Sequence, residues 1–187
     1  MNKCTKCDKE FKKGQFMVAV SQSPGKYHHS SDECEKDLIK RPDINEYFLS
    51  MAKLVSTRGT CIRRKVGCVL VDKHKHILST GYNGASSKSP HCIDFPCPGA
   101  DYSSGEGLEL CEAIHAEQNA LLQCSNMFDI DTCYVTCSPC AHCTKILLNT
   151  SCKNIIFPKD ENYPHKNAKI MWVKDGRLWN YTFRGIK

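Results

Sequence analysis

The stretch from His115 to Cys143 constrains this chain more than any other. It opens with His115-Ala116-Glu117 and closes with Pro139-Cys140-Ala141-His142-Cys143. One histidine and a Cys-x2-Cys pair supply three zinc ligands and leave a fourth position for water. That open position marks a catalytic zinc rather than a structural one. Zinc lowers the pKa of bound water to about 7, so hydroxide is available at neutral pH. Glu117 is not needed as a ligand and suits proton transfer between that water and a leaving group.

Local sequence supports the geometry. Ala116 to Gln123 are good helix formers, so His115 and Glu117 are expected on a helix's first turns. Pro139 suits the first turn of a second helix, Cys140 to Asn149, whose positive end keeps the sulfurs ionised. H-x-E followed by P-C-x-x-C is the zinc deaminase signature, whose hydroxide attacks C4 of cytosine or C6 of adenine. The plain alternative is a structural zinc, or reduced cysteines that merely lie near a histidine. Five specified residue types in order favour catalysis.

A chain of 187 residues is one ordinary domain, or one domain with a small appendage. No stretch is apolar enough to span a membrane, and no secretory core follows Met1. Fourteen cysteines, several in Cys-x2-Cys pairs near histidines, point to reduced thiols and zinc in a cytosol. The formal charge of +6 hints at nucleic acid. Three zincs held by nine thiolates would bring it to about +3, since bound cysteines are deprotonated. The basic residues are also scattered, and net charge alone does not choose a partner.

Residues 1–41 read as a zinc-finger-like module ahead of a catalytic domain at 42–187. Cys4-x2-Cys7 and Cys34, with Tyr27-His28-His29 between, fit a tetrahedral zinc held by Cys4, Cys7, His29 and Cys34, with His28 competing. Ser31 to Lys40 is the expected helix. So short a piece needs metal to fold. The alternative is an unstructured tail with stray cysteines.

Asn45 to Arg58 carries Tyr47, Phe48, Met51, Leu54 and Val55 at helical spacing. Val66 to Val71 and Ile77 to Thr80 read as strands, followed by a turn at Gly81-Tyr82-Asn83-Gly84 that suits close ligand approach. The long loop Ser86 to Leu110 needs tying down. Cys92-x4-Cys97, with Cys111 and Cys61, fits a second, structural zinc, and His91 is an alternative ligand. Cys68, Cys124, Cys133 and Cys152 read as small buried hydrophobes. Thr132 to Thr136 and Lys153 to Phe157 continue the sheet. Lys166 to Lys174 is expected as a helix stopped by Gly176, before a last strand, Arg177 to Phe183. The rival is a hairpin at Asp175-Gly176; the helix completes a β-α-β alternation.

With these residues in hand, the chain resembles the zinc-dependent deoxycytidylate (dCMP) deaminases of bacteria and phages, over roughly residues 42–180. The resemblance rests on Cys61 followed by Val66-Gly67, on Gly81-Tyr82-Asn83-Gly84, and on His91-Cys92-Ile93-Asp94. It rests also on His115 to Ala120 and Ser138 to Cys143. It implies a three-layer α/β/α sandwich with a mixed five-stranded sheet, and hydrolysis of dCMP to dUMP and ammonia. His115, Cys140 and Cys143 would hold the catalytic zinc, and Glu117 would shuttle protons. Asn83, Ser138 and Tyr163 would meet the substrate, and Gly81, Tyr82, Asn83 and Gly84 an effector, dCTP or dTTP. Cys61 and Cys92 match ligands of the family's second zinc. A homo-oligomer, often a hexamer, is also implied. The module at 1–41 departs from the family pattern.

Two other readings compete. A polynucleotide deaminase acting on tRNA or single-stranded DNA would use the module as a substrate handle and show steep salt dependence. A non-enzymatic zinc-stapled binding module would be indifferent to Glu117→Gln.

Overall fold

The computed structural model describes residues 17–19, 27–29, 41–103, 106–159 and 166–182. The chain divides into two compact units, Met1–Pro42 and Asp43–Lys187. In the first, β1 (Met17–Ala19) and β2 (Tyr27–His29) form an antiparallel pair, with Val18 opposite His28 and Met17 opposite His29. Cys4, Cys7, Cys34 and the helix expected at 31–40 lie outside the described residues.

The second unit is built on five strands in the order β4-β3-β5-β6-β7. These are β3 (Gly67–Val71), β4 (Ile77–Tyr82), β5 (Thr132–Val135), β6 (Asn154–Pro158) and β7 (Leu178–Thr182). β3 runs antiparallel to both β4 and β5, while β5, β6 and β7 are parallel. Parallel neighbours need helical crossovers. These are α3 (Ala141–Leu148) between β5 and β6, and α4 (Lys166–Lys174) between β6 and β7. The helix expected over 166–174 forms, and the hairpin does not.

Helices cover both faces, so β3 and β5 are buried along their whole length. On one face lies α1 (Ile44–Ser56), which packs Phe48, Leu49 and Ala52 against Val69, Val71, Tyr134 and Ile156. On the other lie α3, α4 and α2 (Ala116–Gln123), over Cys68, Leu70, Cys133, Val135, Ile155 and Phe157. This is the expected α/β/α sandwich. Cys68, Cys133 and Cys152 are buried as expected, while Cys124 is half-buried. Asp43 caps α1: its carboxylate accepts the Asn45 and Glu46 amides at 2.8 and 3.0 Å, and Glu46 accepts the Asp43 amide in return.

Two glycines set the spacing of the layers. A Cβ on Gly67 would stand 2.0 Å from the Ala52 carbonyl oxygen, and one on Gly81 would stand 2.3 Å from both Ala116 O and Ala120 N. Gly67 and Gly81 face opposite sides of the sheet, since Gly81 pairs with Cys68. The turn expected at Gly81-Tyr82 is therefore strand: β4 continues to Tyr82, paired with Gly67. The glycine is there to admit α2, not to bend the chain.

Candidate active site

The helices α2 and α3 begin at the same end of the sheet, and each is capped by a candidate ligand. His115 is the N-cap of α2, with extended backbone, and its amide donates to Gln118 Oε1 at 2.9 Å. Cys140 is the N-cap of α3, and its sulfur accepts the Cys143 amide at 3.5 Å. His115 and Cys140 thus stand just before their helices rather than inside the first turn. Pro139 falls one residue earlier, because the cap position takes the extended conformation of Cys140.

His115 Nδ1 lies 3.4 Å from Cys140 Sγ and 3.4 Å from Cys143 Sγ. Among the described residues, this is the one trio of His, Cys, Asp or Glu ligand atoms gathered within 4.8 Å. Tetrahedral zinc, with Zn–S near 2.3 Å and Zn–N near 2.0–2.1 Å, sets nitrogen and sulfur about 3.5 Å apart. The trio fits that ion.

The charges agree. The hydrogen bond with Cys143 draws the Cys140 thiol down to about 3, against the pull of burial and with help from His115. The same bond, then burial, pushes the Cys143 thiol up. The hydrogen bond with Cys140 raises the His115 imidazole, burial opposing. Zinc takes cysteine as thiolate, so metal binding would release the thiol protons of this pair. Glu117, only 3% exposed, has its carboxyl pushed up by burial, with the His115 charge opposing. A carboxyl made less acidic by burial returns more readily a proton it has taken.

His115, Glu117 and Cys140 open onto a cavity of about 80 Å3 that Asn83, Ser138 and Arg63 also line. Asn83 sits 7% exposed between backbone partners. Its Oδ1 accepts the Val66 amide and its Nδ2 donates to the Arg64 carbonyl, each at 2.7 Å. Ser138 is buried. Arg63, which the sequence reading passed over, is pinned by Nη2 to the carbonyls of Ser103 and Glu106, the latter at 2.8 Å. Its Nη1 is buried and meets no acceptor. A buried cationic donor without an acceptor is costly.

The other expected site residues are placed as follows. Cys92 and Cys97 meet, with sulfurs 3.7 Å apart. The Cys97 thiol is lowered chiefly by the Glu112 amide, against burial and with the Gly99 amide and Cys92 assisting. Cys61 and Cys111 line the catalytic cavity instead. No three of these four sulfurs come within 4.8 Å of one another. His91 is exposed. Gly81 lies beneath α2, the Tyr82 carbonyl accepts Asn119 Nδ2 at 2.7 Å, and Gly84 bridges to Ile114. Tyr163 lies outside the described residues.

A metal-ready trio beside a buried carboxyl, at the end of an α/β/α sheet, is the working arrangement of hydrolytic zinc deaminases. The profile of the cytidine and deoxycytidylate deaminase zinc-binding region matches residues 42–159, and the chain belongs to that family. The deoxycytidylate deaminase of Mycobacterium phage D29 is 40% identical over 130 residues, covering 65% of this chain and 99% of that protein. That of Saccharomyces cerevisiae is 28% identical over 144 residues, 75% of this chain, which spans only 46% of the yeast protein. The crystal structure of dCMP deaminase from the cyanophage S-TIM5, in complex with dCMP and dUMP, superposes with a TM-score of 0.61 at 28% identity. That match covers 76% of this chain and 98% of the phage one. No helix among the described residues is long and apolar enough to cross a membrane.

Proposed function

We propose that this protein hydrolyses dCMP to dUMP and ammonia, supplying dUMP for thymidylate synthesis. Zinc bound to His115, Cys140 and Cys143 would supply a water acidic enough to react at neutral pH. Glu117 takes the water's proton and delivers it to the amine leaving the pyrimidine. The walls of the cavity hold the nucleotide and exclude bulk solvent.

The observation that carries the nucleotide reading is Arg63. Arg63 lines the same small cavity as the metal trio, and its buried Nη1 has no hydrogen-bond partner. A guanidinium so placed pairs best with a phosphate. It favours a monophosphate over a free nucleoside. A small cavity lined mainly by apolar groups, rather than a long basic channel, also favours it over a polynucleotide. Ser138 completes the pocket wall, and Tyr163 is carried as a substrate contact on the resemblance alone.

The finer parts of this reading rest on other support. A structural zinc at Cys61, Cys92, Cys97 and Cys111, with His91 as alternative, is supported by the Cys92–Cys97 approach and the amides aimed at Cys97. A third zinc at Cys4, Cys7, His29 and Cys34 is supported by ligand spacing. Regulation by dCTP and dTTP through Gly81, Tyr82, Asn83 and Gly84, a hexameric assembly and a cytoplasmic setting rest on the family resemblance.

The test follows the loss of the cytosine ultraviolet spectrum with dCMP, cytidine and single-stranded DNA. The expected result is turnover of dCMP, with Arg63→Met raising KM for dCMP and leaving any cytidine activity unchanged. Turnover confined to single-stranded DNA would overturn the substrate. Equal loss on both small substrates would overturn the role of Arg63.

A further inference from the structure

Arg177 sits at the other end of the helix that carries the cysteine ligands. All three of its guanidinium nitrogens are engaged. Nη1 donates to the carbonyls of Leu147 at 3.2 Å, Thr150 at 3.1 Å and Cys152 at 2.8 Å. Nη2 donates to the Leu148 carbonyl at 2.8 Å, and Nε to Asp175 Oδ2 at 2.6 Å. The guanidinium carbon lies 5.1 Å over the Trp172 ring, and Trp172 Nε1 donates to the Leu178 carbonyl at 3.1 Å. Trp172 is fully buried.

These acceptors are not a scattered set. Leu147 and Leu148 end α3, and Thr150 and Cys152 form the connection into β6. A helix leaves its last four carbonyls without intrahelical partners, and a cation there also meets the negative end of the dipole. Arg177 takes two of those carbonyls and two from the following turn. It stands just before β7, so it ties the helix, the turn and the next parallel strand into one unit.

Cys140 and Cys143 begin that same helix. Eight residues at about 1.5 Å each make α3 a rod of roughly 12 Å. A rod held at one end only by short connections swings at the other. His115 comes from a different helix, so its 3.4 Å approach to both sulfurs depends on how α3 is aimed.

We infer that Arg177 is a positioning residue for the metal site: by capping α3 and its exit turn, it holds Cys140 and Cys143 against His115. This rests on the zinc reading of that trio and says nothing of substrate. It is a role through another element, not contact with the reacting atoms. Lysine cannot reproduce it, because one ammonium cannot span the four carbonyls that the planar fork reaches.

The full-length protein is loaded with zinc and titrated with a chromophoric chelator, as wild type, Arg177→Lys and Arg177→Ala. Loss of a direct hydrogen-bond partner of a metal ligand costs about 10–100-fold in metal affinity, and a cap acting through the helix is set at the low end, about tenfold. That loss is expected in both variants, with guanidinium ion at low millimolar concentration restoring part of it in Arg177→Ala. Cobalt substitution should show an altered ligand-field spectrum in the variants, a signature that loss of stability alone does not produce. Lower thermal stability with unchanged zinc affinity and cobalt spectrum would overturn the inference and leave Arg177 a structural cap.

A wild-type measurement covers the case of variants that do not fold. Linkage is reciprocal, so zinc should sharpen the Arg177 Nε–H resonance and slow its exchange. An Nε–H indifferent to zinc would count against the inference. Wild type that binds no zinc would instead overturn the metal reading on which it stands.

Discussion

The side-chain oxygen of Asn83 accepts the Val66 amide at 2.7 Å, and the Val66 carbonyl accepts the Asn83 amide at 3.1 Å. With the bond from Asn83 Nδ2 to the Arg64 carbonyl, this side chain clasps the segment that follows Arg63. Asn83 therefore shapes the cavity wall whatever else it touches.

Asn83→Ala would leave the Val66 amide and the Arg64 carbonyl without these partners. Each orphaned group costs about 1–3 kcal/mol. We expect a total loss of about 2–6 kcal/mol, hence a melting temperature lower by roughly 4–24 °C for a chain of this size. The value of kcat/KM for dCMP should fall with it. Calorimetry separates the roles: reduced activity at an unchanged melting temperature would make Asn83 a substrate contact alone.

Glu117→Gln keeps the shape and removes the proton carrier. Turnover should drop by about 10²–10⁴-fold while zinc content, measured by metal analysis, stays at the wild-type level. Undiminished turnover would sink the assignment, and loss of zinc would mean that the carboxyl also holds the site together.

Gly81→Ala puts a methyl group against Ala116 O and Ala120 N, both backbone atoms that cannot swing aside. The expected cost is about 1–3 kcal/mol or more. Because Ala116 follows His115 directly, zinc affinity should fall as well. Chemical denaturation together with the chelator titration checks both. A variant of normal stability and affinity, altered only in its response to dCTP, would return Gly81 to the effector role.

Tyr134 gives a pH dependence. Burial, then the charges of Asp131 and Asp43, pushes its phenol up to about 12 from an ordinary value of 10.0. The neutral form is favoured in the folded state, so its stability term is intact below pH 10. Between about 10 and 12 the unfolded chain binds fewer protons than the folded one, and stability falls as pH rises. Urea unfolding at pH 8 and pH 11 should show that decline. Tyr134→Phe should make it shallower, at the cost of the hydrogen bond to Asn45 Oδ1, while the buried thiols of Cys68, Cys133 and Cys152 sustain the remainder.

The metal trio and Glu117 were legible because their spacing is the chemistry. A histidine at one helix start and Cys-x2-Cys at another can be read without coordinates. The strands at 67–71 and 132–135 were legible from composition, and the helix at 166–174 from the alternation it completes. Gly81 was misread since a glycine needed for close packing looks, in sequence, like a glycine needed for a turn. Arg63 and Arg177 were hidden among 26 cations. What distinguishes them is the set of carbonyls each meets, 25–43 residues away in the chain. No local pattern records that. The cysteines at 61, 92, 97 and 111 show the right residue type for a second zinc, but loop geometry, which brings the sulfurs of Cys92 and Cys97 to 3.7 Å, is not written in their spacing.

Gly67 and Gly81 lie on adjacent rungs of neighbouring strands, one bare toward α1 and the other toward α2. At those two points each strand meets the backbone of its helix directly. The two outer layers thus share a single thin partition, and the catalytic helix leans on it from one side while Ala52 and Ser56 press from the other. A shift of α1 at this point meets the same sheet that supports α2, so substitutions on the buried side of α1 are expected to be felt in zinc affinity as well as in stability.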